Sequence, residues 1–304
     1  MTSAYLPEAK YSIPRDGGEL AYFRYGQPSD KNILAIHGVT SSNRAWQLFA
    51  KTAVKNGFTV YAVDLRGRGD SNSIKGPFGM RTHAHDMVAV IDHIGLKNCD
   101  VIGHSMGAFV VAAMCGVAPE RMAKVVFVDG GVPLALPPGF TVEQIMPLVL
   151  GPALERLAKT FANKEEYRNY WKPQPAFVKG WTDAMDEYVD YDLRGVEGDM
   201  HASTLADAVA EDSRDLFGDD LIVNSLRNLD REVLMIRAVR GLQNEELPLY
   251  PEPIIKSALE NYPKISLVTL DDTNHYDMLL EQSGADRIFE LVYGTFNGKA
   301  GAHE

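Results

Sequence analysis

Residues 101–109 read "VIGHSMGAF", an apolar run of strand character that meets a histidine and a serine between two glycines before apolar residues resume. Gly103, Ser105 and Gly107 fit the pattern G-x-S-x-G, placed after a predicted strand and before a predicted helix. A strand-to-helix turn this sharp leaves no space for side chains two residues before and two after the serine. The motif therefore predicts a nucleophilic Ser105 held out of the core; the alternative is a serine that caps a tight turn.

The composition is that of a globular protein, with 304 residues, 45% hydrophobic and 23% charged residues, and a net charge of −11. The acidic balance argues against nucleic acid, and no basic run indicates an anionic membrane surface. The N-terminus lacks the pattern of a signal peptide, and no apolar run approaches the ~18 residues of a membrane span. The two cysteines, Cys99 and Cys115, are expected to be buried thiols. We therefore expect a cytoplasmic protein without membrane or nucleic-acid partners.

Short apolar strands alternate with amphipathic helices up to Pro133 and again after about residue 230. This alternation predicts an α/β fold with a parallel sheet covered on both faces. The intervening stretch has helical segments and loops rich in Met, Phe, Tyr and Trp, and no convincing strand. We predict a core made of residues 1–132 and 229–304, with residues 133–228 inserted as a helical cap.

A serine hydroxyl needs a base to take its proton, and His275 is the candidate. It lies in "DDTNHYDMLL" (271–280), just past the last predicted strand, at the sheet edge where ligands of α/β proteins bind. His104 adjoins Ser105 in sequence, but adjacent side chains on such a turn point apart. We expect His104 to pack beside the turn.

An oxyanion formed by attack of the serine needs N–H donors already in place. The glycine-containing turn "AIHGVTSS" (35–42) follows the third predicted strand. We predict that the N–H groups of Val39 and Met106 form the oxyanion hole and that His37 fixes the loop through its ring. The sequence has no metal-ligand set, phosphate-binding loop or dinucleotide fingerprint.

With "HGVTSS", "DLRGRGDS", "GHSMG" and "TNHYDML" in this order, the chain resembles the α/β-hydrolase superfamily over nearly its whole length. The resemblance implies a mostly parallel, eight-stranded, doubly wound sheet with a helical cap inserted between strands six and seven. It also implies a serine hydrolase that works through an acyl-enzyme without a cofactor.

The acid that orients His275 is the least determined part of the expected site. The family usually places it after the seventh strand, where "RAVRGLQNEELPLYPEP" has only the late Glu245 and Glu246. Some members use the end of the sixth strand instead, which here is Asp129 in "VVFVDGG". We expect Asp129 to be the acid; Glu245, Glu246 and a merely turn-capping Asp129 stay open.

The expected function is cleavage of a carboxylic ester or lactone of a small, largely apolar substrate. A C–C bond hydrolase or a cofactor-free perhydrolase with the same triad, or a ligand receptor with slow turnover, are the alternatives. The expected partner is a small-molecule substrate. Whether the protein forms a homodimer is left open by the sequence. The predicted cap has several large apolar residues that could line the ligand site, although we expect more of them in the core of the cap than in contact with a ligand. They are Met146, Leu150, Phe161, Tyr170, Trp171, Trp181, Met185 and Tyr188.

Overall fold

The computed structural model describes residues 5–294, and an eight-stranded sheet runs through its centre in the order β1-β2-β4-β3-β5-β6-β9-β10. Two further strands, β7 and β8, pair only with each other. The strands are β1 (Ala9–Arg15), β2 (Gly18–Tyr25), β3 (Asn32–Ile36), β4 (Thr59–Val63), β5 (Cys99–His104), β6 (Met122–Val128), β7 (Leu193–Val196), β8 (Asp199–Ala202), β9 (Val233–Ala238) and β10 (Ile265–Leu270).

The sheet is mostly parallel, as the sequence predicts. Only the pairings of β2 with β1 and with β4 are antiparallel, and the other five are parallel. The central strands are mostly apolar, and every residue of β4 is buried. Continuous apolar runs of this kind are typical of parallel strands covered on both faces.

Helices cover both faces of the sheet. Alternate residues of β3 show this, since Leu34 belongs to one buried cluster and Ile33 and Ala35 to the other. The helices are α1 (Gln47–Lys55), α2 (Met80–Ile94), α3 (Met106–Val117), α4 (Val142–Leu157), α5 (Lys164–Trp171), α6 (Asp183–Asp192), α7 (Ala206–Asp215), α8 (Asp220–Arg227), α9 (Glu252–Asn261), α10 (Asp277–Leu280) and α11 (Gln282–Tyr293). The predicted fold class, a doubly wound α/β sheet, is confirmed. None of the described helices is long and apolar enough to cross a membrane.

The segment between β6 and β9 contains a β-hairpin that the sequence analysis did not predict. Strands β7 and β8 have four residues each, and their turn includes Gly198 at a φ of +93°. Gly195 is needed for close approach, because a Cβ there would lie 2.4 Å from the carbonyl oxygen of Asp199. The hairpin is short and mostly exposed, so it lacks the alternating apolar pattern that would indicate a strand.

Helix α8 packs on α3, in the helical layer of the core, although the predicted cap range includes it. The contact is close, since a Cβ on Gly116 of α3 would lie 2.1 Å from Ser225 Oγ. The buried Ile222 and Leu226 of α8 join the same hydrophobic cluster as α3. The division into core and cap stays a proposal, and the packing places α8 with the core.

We predict that α4 opens more readily than the sheet in hydrogen exchange. Leu148 of α4 is 73% exposed, whereas every residue of β5 but Asp100 is buried, and local opening follows the number of buried contacts. Amide exchange read by mass spectrometry should show faster exchange in α4 than in β5. Helix α8 is the internal control, because it lies in the same inserted range yet should be protected like α3. Equal protection of α4 and β5 would contradict an independently moving cap.

Candidate active site

Ser105 lies on the sharp turn between β5 and α3, with φ at +55° and ψ at −126°. A non-glycine residue at positive φ is uncommon and strained, and such strain concentrates at functional sites. The flanking glycines are sterically required. A Cβ on Gly103 would lie 2.2 Å from the carbonyl oxygen of Gly107, and one on Gly107 would lie 2.1 Å from that of Ile36. The turn holds the Ser105 side chain at the end of the sheet, as the motif predicts.

The structure brings His275 and Asp129 together. His275 lies in the loop between β10 and α10, and its Nδ1 is 2.6 Å from Asp129 Oδ2. Asp129 directly follows β6, and its other oxygen, Oδ1, accepts a hydrogen bond of 3.2 Å from the amide of Ala238. Both side chains are buried. A carboxylate only accepts, so Nδ1 carries the proton and Nε2 presents its lone pair.

Ser105 and His275 line one open cleft, together with Gly38 and Tyr188. The hydrogen bonds of residues 5–294 include none between Ser105 Oγ and the His275 ring. In many enzymes this contact tightens only with substrate in place. The arrangement therefore supplies a hydroxyl, an oriented imidazole and a buried carboxylate around one space.

Val39 and Met106 both lie close to Ser105, and the three residues line a second pocket. A Cβ on Gly38, the residue before Val39, would lie 3.1 Å from Ser105 Cβ, so the two loops approach very closely. Met106 is the first residue of α3, and the amide at that position has no acceptor within its helix. The second pocket, which these three residues line, is mainly apolar. Both predicted donors are thus positioned near the serine.

His37 holds the loop that carries Val39, as expected from the sequence. Its Nε2 accepts a hydrogen bond of 3.0 Å from the amide of Leu65, and its Nδ1 lies 2.7 Å from the carbonyl oxygen of Gly38. Burial is the main cause that lowers the pKa of His37 to about 3, and the charge of Arg68 lowers it further. The ring is therefore neutral and serves as a fixed hydrogen-bonding group.

His104 packs beside the turn and supports the loop of His275. Its Nε2–H donates to the carbonyl oxygen of His275 over 3.0 Å, and the two ring centroids lie 4.4 Å apart. Burial, and then the proximity of His275, lower the pKa of His104 well below its usual value. It is thus a neutral neighbour of the candidate base.

Within the described part of the chain, neither of the two late glutamates is bonded to the ring of His275. Glu245 and Glu246 are exposed, and Glu245 Oε2 accepts a hydrogen bond of 2.8 Å from the amide of Gln243. Of the candidate acids, Asp129 is the one bonded to the ring of His275.

Two buried arginines near the site escaped the sequence analysis. Arg68, next to Val39, and Arg156, on α4, are nearly inaccessible to solvent. Isolated arginines in loops and amphipathic helices are usually exposed, so the sequence offers only a weak signal for them. Of the apolar residues predicted for the cap, Leu150 and Tyr188 line the cleft with Ser105, whereas Phe161 and Met185 belong to a buried hydrophobic cluster. Among residues 5–294 no three His, Cys, Asp or Glu side chains are grouped to hold a metal ion.

Residues 31–168 match the sequence model of the alpha/beta hydrolase fold. Over 129 residues the chain is 33% identical to a non-heme chloroperoxidase of Burkholderia pyrrocinia, covering 41% of this chain and 46% of the relative. Over 125 residues it is 30% identical to a bifunctional esterase/perhydrolase of Acinetobacter calcoaceticus, covering 41% and 45%. The chain thus spans less than half the length of these curated relatives.

Among solved structures, E-2-(acetamidomethylene)succinate hydrolase superposes with a TM-score of 0.75 at 18% identity, covering 94% of this chain and 100% of that one. At this identity the likeness shows the fold alone. The described chain therefore has the α/β-hydrolase fold, in agreement with the match of residues 31–168 to the sequence model of that fold.

Proposed function

We propose that the protein is a serine hydrolase that cleaves a carboxylic ester or lactone of a small, largely apolar substrate. The observation that carries the proposal is the 2.6 Å contact between His275 Nδ1 and Asp129 Oδ2, at the edge of the cleft that Ser105 lines. It leaves Nε2 of His275 free to accept the proton of a serine hydroxyl.

In the proposed reaction, Ser105 Oγ attacks the ester carbonyl while His275 Nε2 takes the hydroxyl proton. The N–H groups of Val39 and Met106 stabilise the oxyanion of the tetrahedral intermediate. Collapse of the intermediate breaks the ester C–O bond, and the imidazolium returns its proton to the leaving alcohol. Water then attacks the acyl-enzyme by the same route, which releases the acid and restores Ser105.

The linings of the two pockets beside Ser105 support a largely apolar substrate. The second pocket is lined mainly by aliphatic and aromatic side chains, including Phe109, Leu216 and Leu249. Binding sites for small molecules typically combine such a lining with a few polar groups that fix orientation. The adjoining cleft supplies those polar groups from the loop 38–41 and from His275.

A perhydrolase is the second candidate. It is favoured by the similarity to the esterase/perhydrolase of A. calcoaceticus over 125 residues of the chain. In that reaction hydrogen peroxide replaces water, and its oxygen attacks the acyl-enzyme, so that a peracid leaves and Ser105 regains its proton. The triad roles would be unchanged.

Turnover of p-nitrophenyl acetate and p-nitrophenyl butyrate tests the proposal. We expect steady hydrolysis of both esters, and covalent labelling of Ser105 by a fluorophosphonate, located by peptide mass spectrometry. Adding hydrogen peroxide and measuring peracid separates the esterase from the perhydrolase. Labelling of Ser105 with negligible turnover of either ester would instead favour the slow-turnover receptor, and no labelling would contradict the serine mechanism. The cytoplasmic location and the homodimer stay predictions.

A further inference from the structure

The loop that carries the proposed oxyanion donor Val39 is held by two buried arginines. Arg68 Nε donates to the carbonyl oxygen of Val39 over 2.9 Å, and Arg156 Nη2 donates to that of Thr40 over 3.1 Å. Next in the chain, the hydroxyl of Tyr188 lies 3.1 Å from Ser41 Oγ. We call residues 38–42 the oxyanion loop. Three successive residues of this loop are therefore bonded by side chains.

Arg68 is fixed on the core side of the loop. It is fully buried, and its Nη1 donates to the carbonyl oxygen of Arg66 over 2.8 Å and to Asp212 Oδ2 over 2.5 Å. Its Nη2 lies 4.0 Å from the sulfur of Met106, the residue of the second proposed donor. One guanidinium thus contacts both residues of the proposed oxyanion hole.

The partner of Arg68 belongs to the inserted segment. Asp212, on α7, is fully buried and also accepts hydrogen bonds from the amide of Gly79, over 2.6 Å, and from the ring of His83. Burial by itself would raise the pKa of Asp212, but His83 and Arg68 outweigh it and lower the pKa below the usual carboxyl range. The carboxylate is therefore charged, and it joins α7 to the core.

Arg156 reaches the loop from the inserted segment itself. On α4, its Nη1 donates to Asp192 and to the hydroxyl of Tyr167, over 2.5 Å to the latter. Its guanidinium lies over the ring of Trp171, 4.8 Å from the centroid. Asp192 is further held by the Ser203 hydroxyl over 2.7 Å. The position of this arginine is thus set by the packing of the inserted segment.

Two buried ion pairs are poor sources of stability, because desolvation of each charge offsets much of the attraction. What they provide is geometry, since a planar guanidinium donates in fixed directions to several acceptors at once. Both pairs direct one donor at consecutive carbonyls of the oxyanion loop. This is the part of the site where a displacement of about 1 Å can cost on the order of 100-fold in rate.

We infer that Arg68 and Arg156 are positioning residues for the oxyanion loop, so that docking of the inserted segment through Asp212 and Arg156 sets the geometry of the oxyanion hole. The inference rests on the proposed serine hydrolase function. It assigns the inserted segment a part in transition-state stabilisation as well as in covering the cleft.

The test uses charge-neutral double variants, R68M/D212N and R156M/D192N, so that no uncompensated charge is left buried. We expect kcat for p-nitrophenyl butyrate to fall by about 10- to 100-fold, with KM changed by less than about threefold, because the loss affects the transition state. The inhibition constant of an alkyl boronic acid, which forms a tetrahedral anion on the serine, should rise in parallel. A merely structural role would not lower kcat and weaken boronic acid binding while leaving KM nearly unchanged.

Arg194→Met is the matched control. Arg194 forms an ion pair of 2.8 Å with Asp70, also between the inserted segment and the core, but this pair does not bond the oxyanion loop. We expect its kcat to stay within about twofold of wild type. Arg68→Lys and Arg156→Lys keep the charges and give a second, milder set, since an ammonium lacks the planar fork that bonds carboxylate and carbonyl together. The two lysine variants should also lose kcat with little change in KM, but by a smaller factor than the double variants.

Folding of each variant is checked by thermal melting. Folded variants with wild-type kcat, a loss confined to KM, or an equal loss in Arg194→Met would overturn the inference and leave the proposed function standing. If a double variant does not fold, the lysine variant of the same arginine decides by the same criteria. Absence of ester turnover and of serine labelling in the wild type would instead overturn the proposed function, and the inference with it.

Discussion

Ser105→Ala is expected to abolish ester hydrolysis while leaving the fold intact. The hydroxyl is the only group on the turn between β5 and α3 that is placed to attack a carbonyl in the cleft beside His275. Loss of the nucleophilic serine of a catalytic triad costs on the order of 10⁶ in kcat. The measurement is kcat for p-nitrophenyl butyrate, together with the melting temperature of the variant.

The same substitution at Ser225 serves as a control for this variant. Ser225 lies on α8 against α3, and its hydroxyl donates to the carbonyl oxygen of Leu221 over 2.6 Å, away from the cleft. Ser225→Ala should therefore keep its activity even where it lowers stability. A Ser105→Ala variant that retained a tenth of the wild-type rate would contradict the serine mechanism.

The fold and the placement of the candidate triad could be predicted because they depend on local sequence. Buried parallel strands leave continuous apolar runs, and the turns that end them need glycine. Gly130 shows this well, since a Cβ there would lie 2.1 Å from the carbonyl oxygen of Ser105. The glycine after Asp129 thus marks the close approach of the end of β6 to the elbow. In both turns the required glycines lie within a few residues of the side chain that the turn positions, so the local sequence indicates each turn.

The arginines around the oxyanion loop could not be predicted, because their partners are set by tertiary packing. Arg68 and Asp212 lie 144 residues apart in sequence, and Arg156 contacts Thr40 across 116 residues. Nothing in the local pattern of "DLRGRGDS" indicates which charged residue will be buried. The packing of α8 on α3 could not be predicted for the same reason. An amphipathic helix shows which of its faces is buried, but not the surface against which that face packs.

Asp129→Asn is expected to lower kcat by about 10⁴, by analogy with the serine-protease case in which the histidine tautomer is inverted. The structure gives the physical reason. Asp129 Oδ1 accepts from the amide of Ala238, so an asparagine keeps its oxygen there and turns its NH₂ group toward His275. Nδ1 must then accept, the ring proton moves to Nε2, and the nitrogen nearest Ser105 can no longer take a proton.

The matched variants are Glu245→Gln and Glu246→Gln, which change the same functional group on the loop after β9. Both glutamates are exposed, and Glu245 bonds the amide of Gln243, so each variant should stay within about tenfold of wild type in kcat. These variants and Asp129→Asn each remove one carboxylate charge with almost no change in side-chain size. They therefore compare the loss of that charge on the loop after β9 with its loss at the end of β6, on the same substrate. An active Asp129→Asn beside an inactive glutamine variant would transfer the orienting role to the loop, while Ser105 and His275 kept theirs. We expect the opposite, because only the carboxylate held at the rigid end of β6 fixes the direction of the His275 ring.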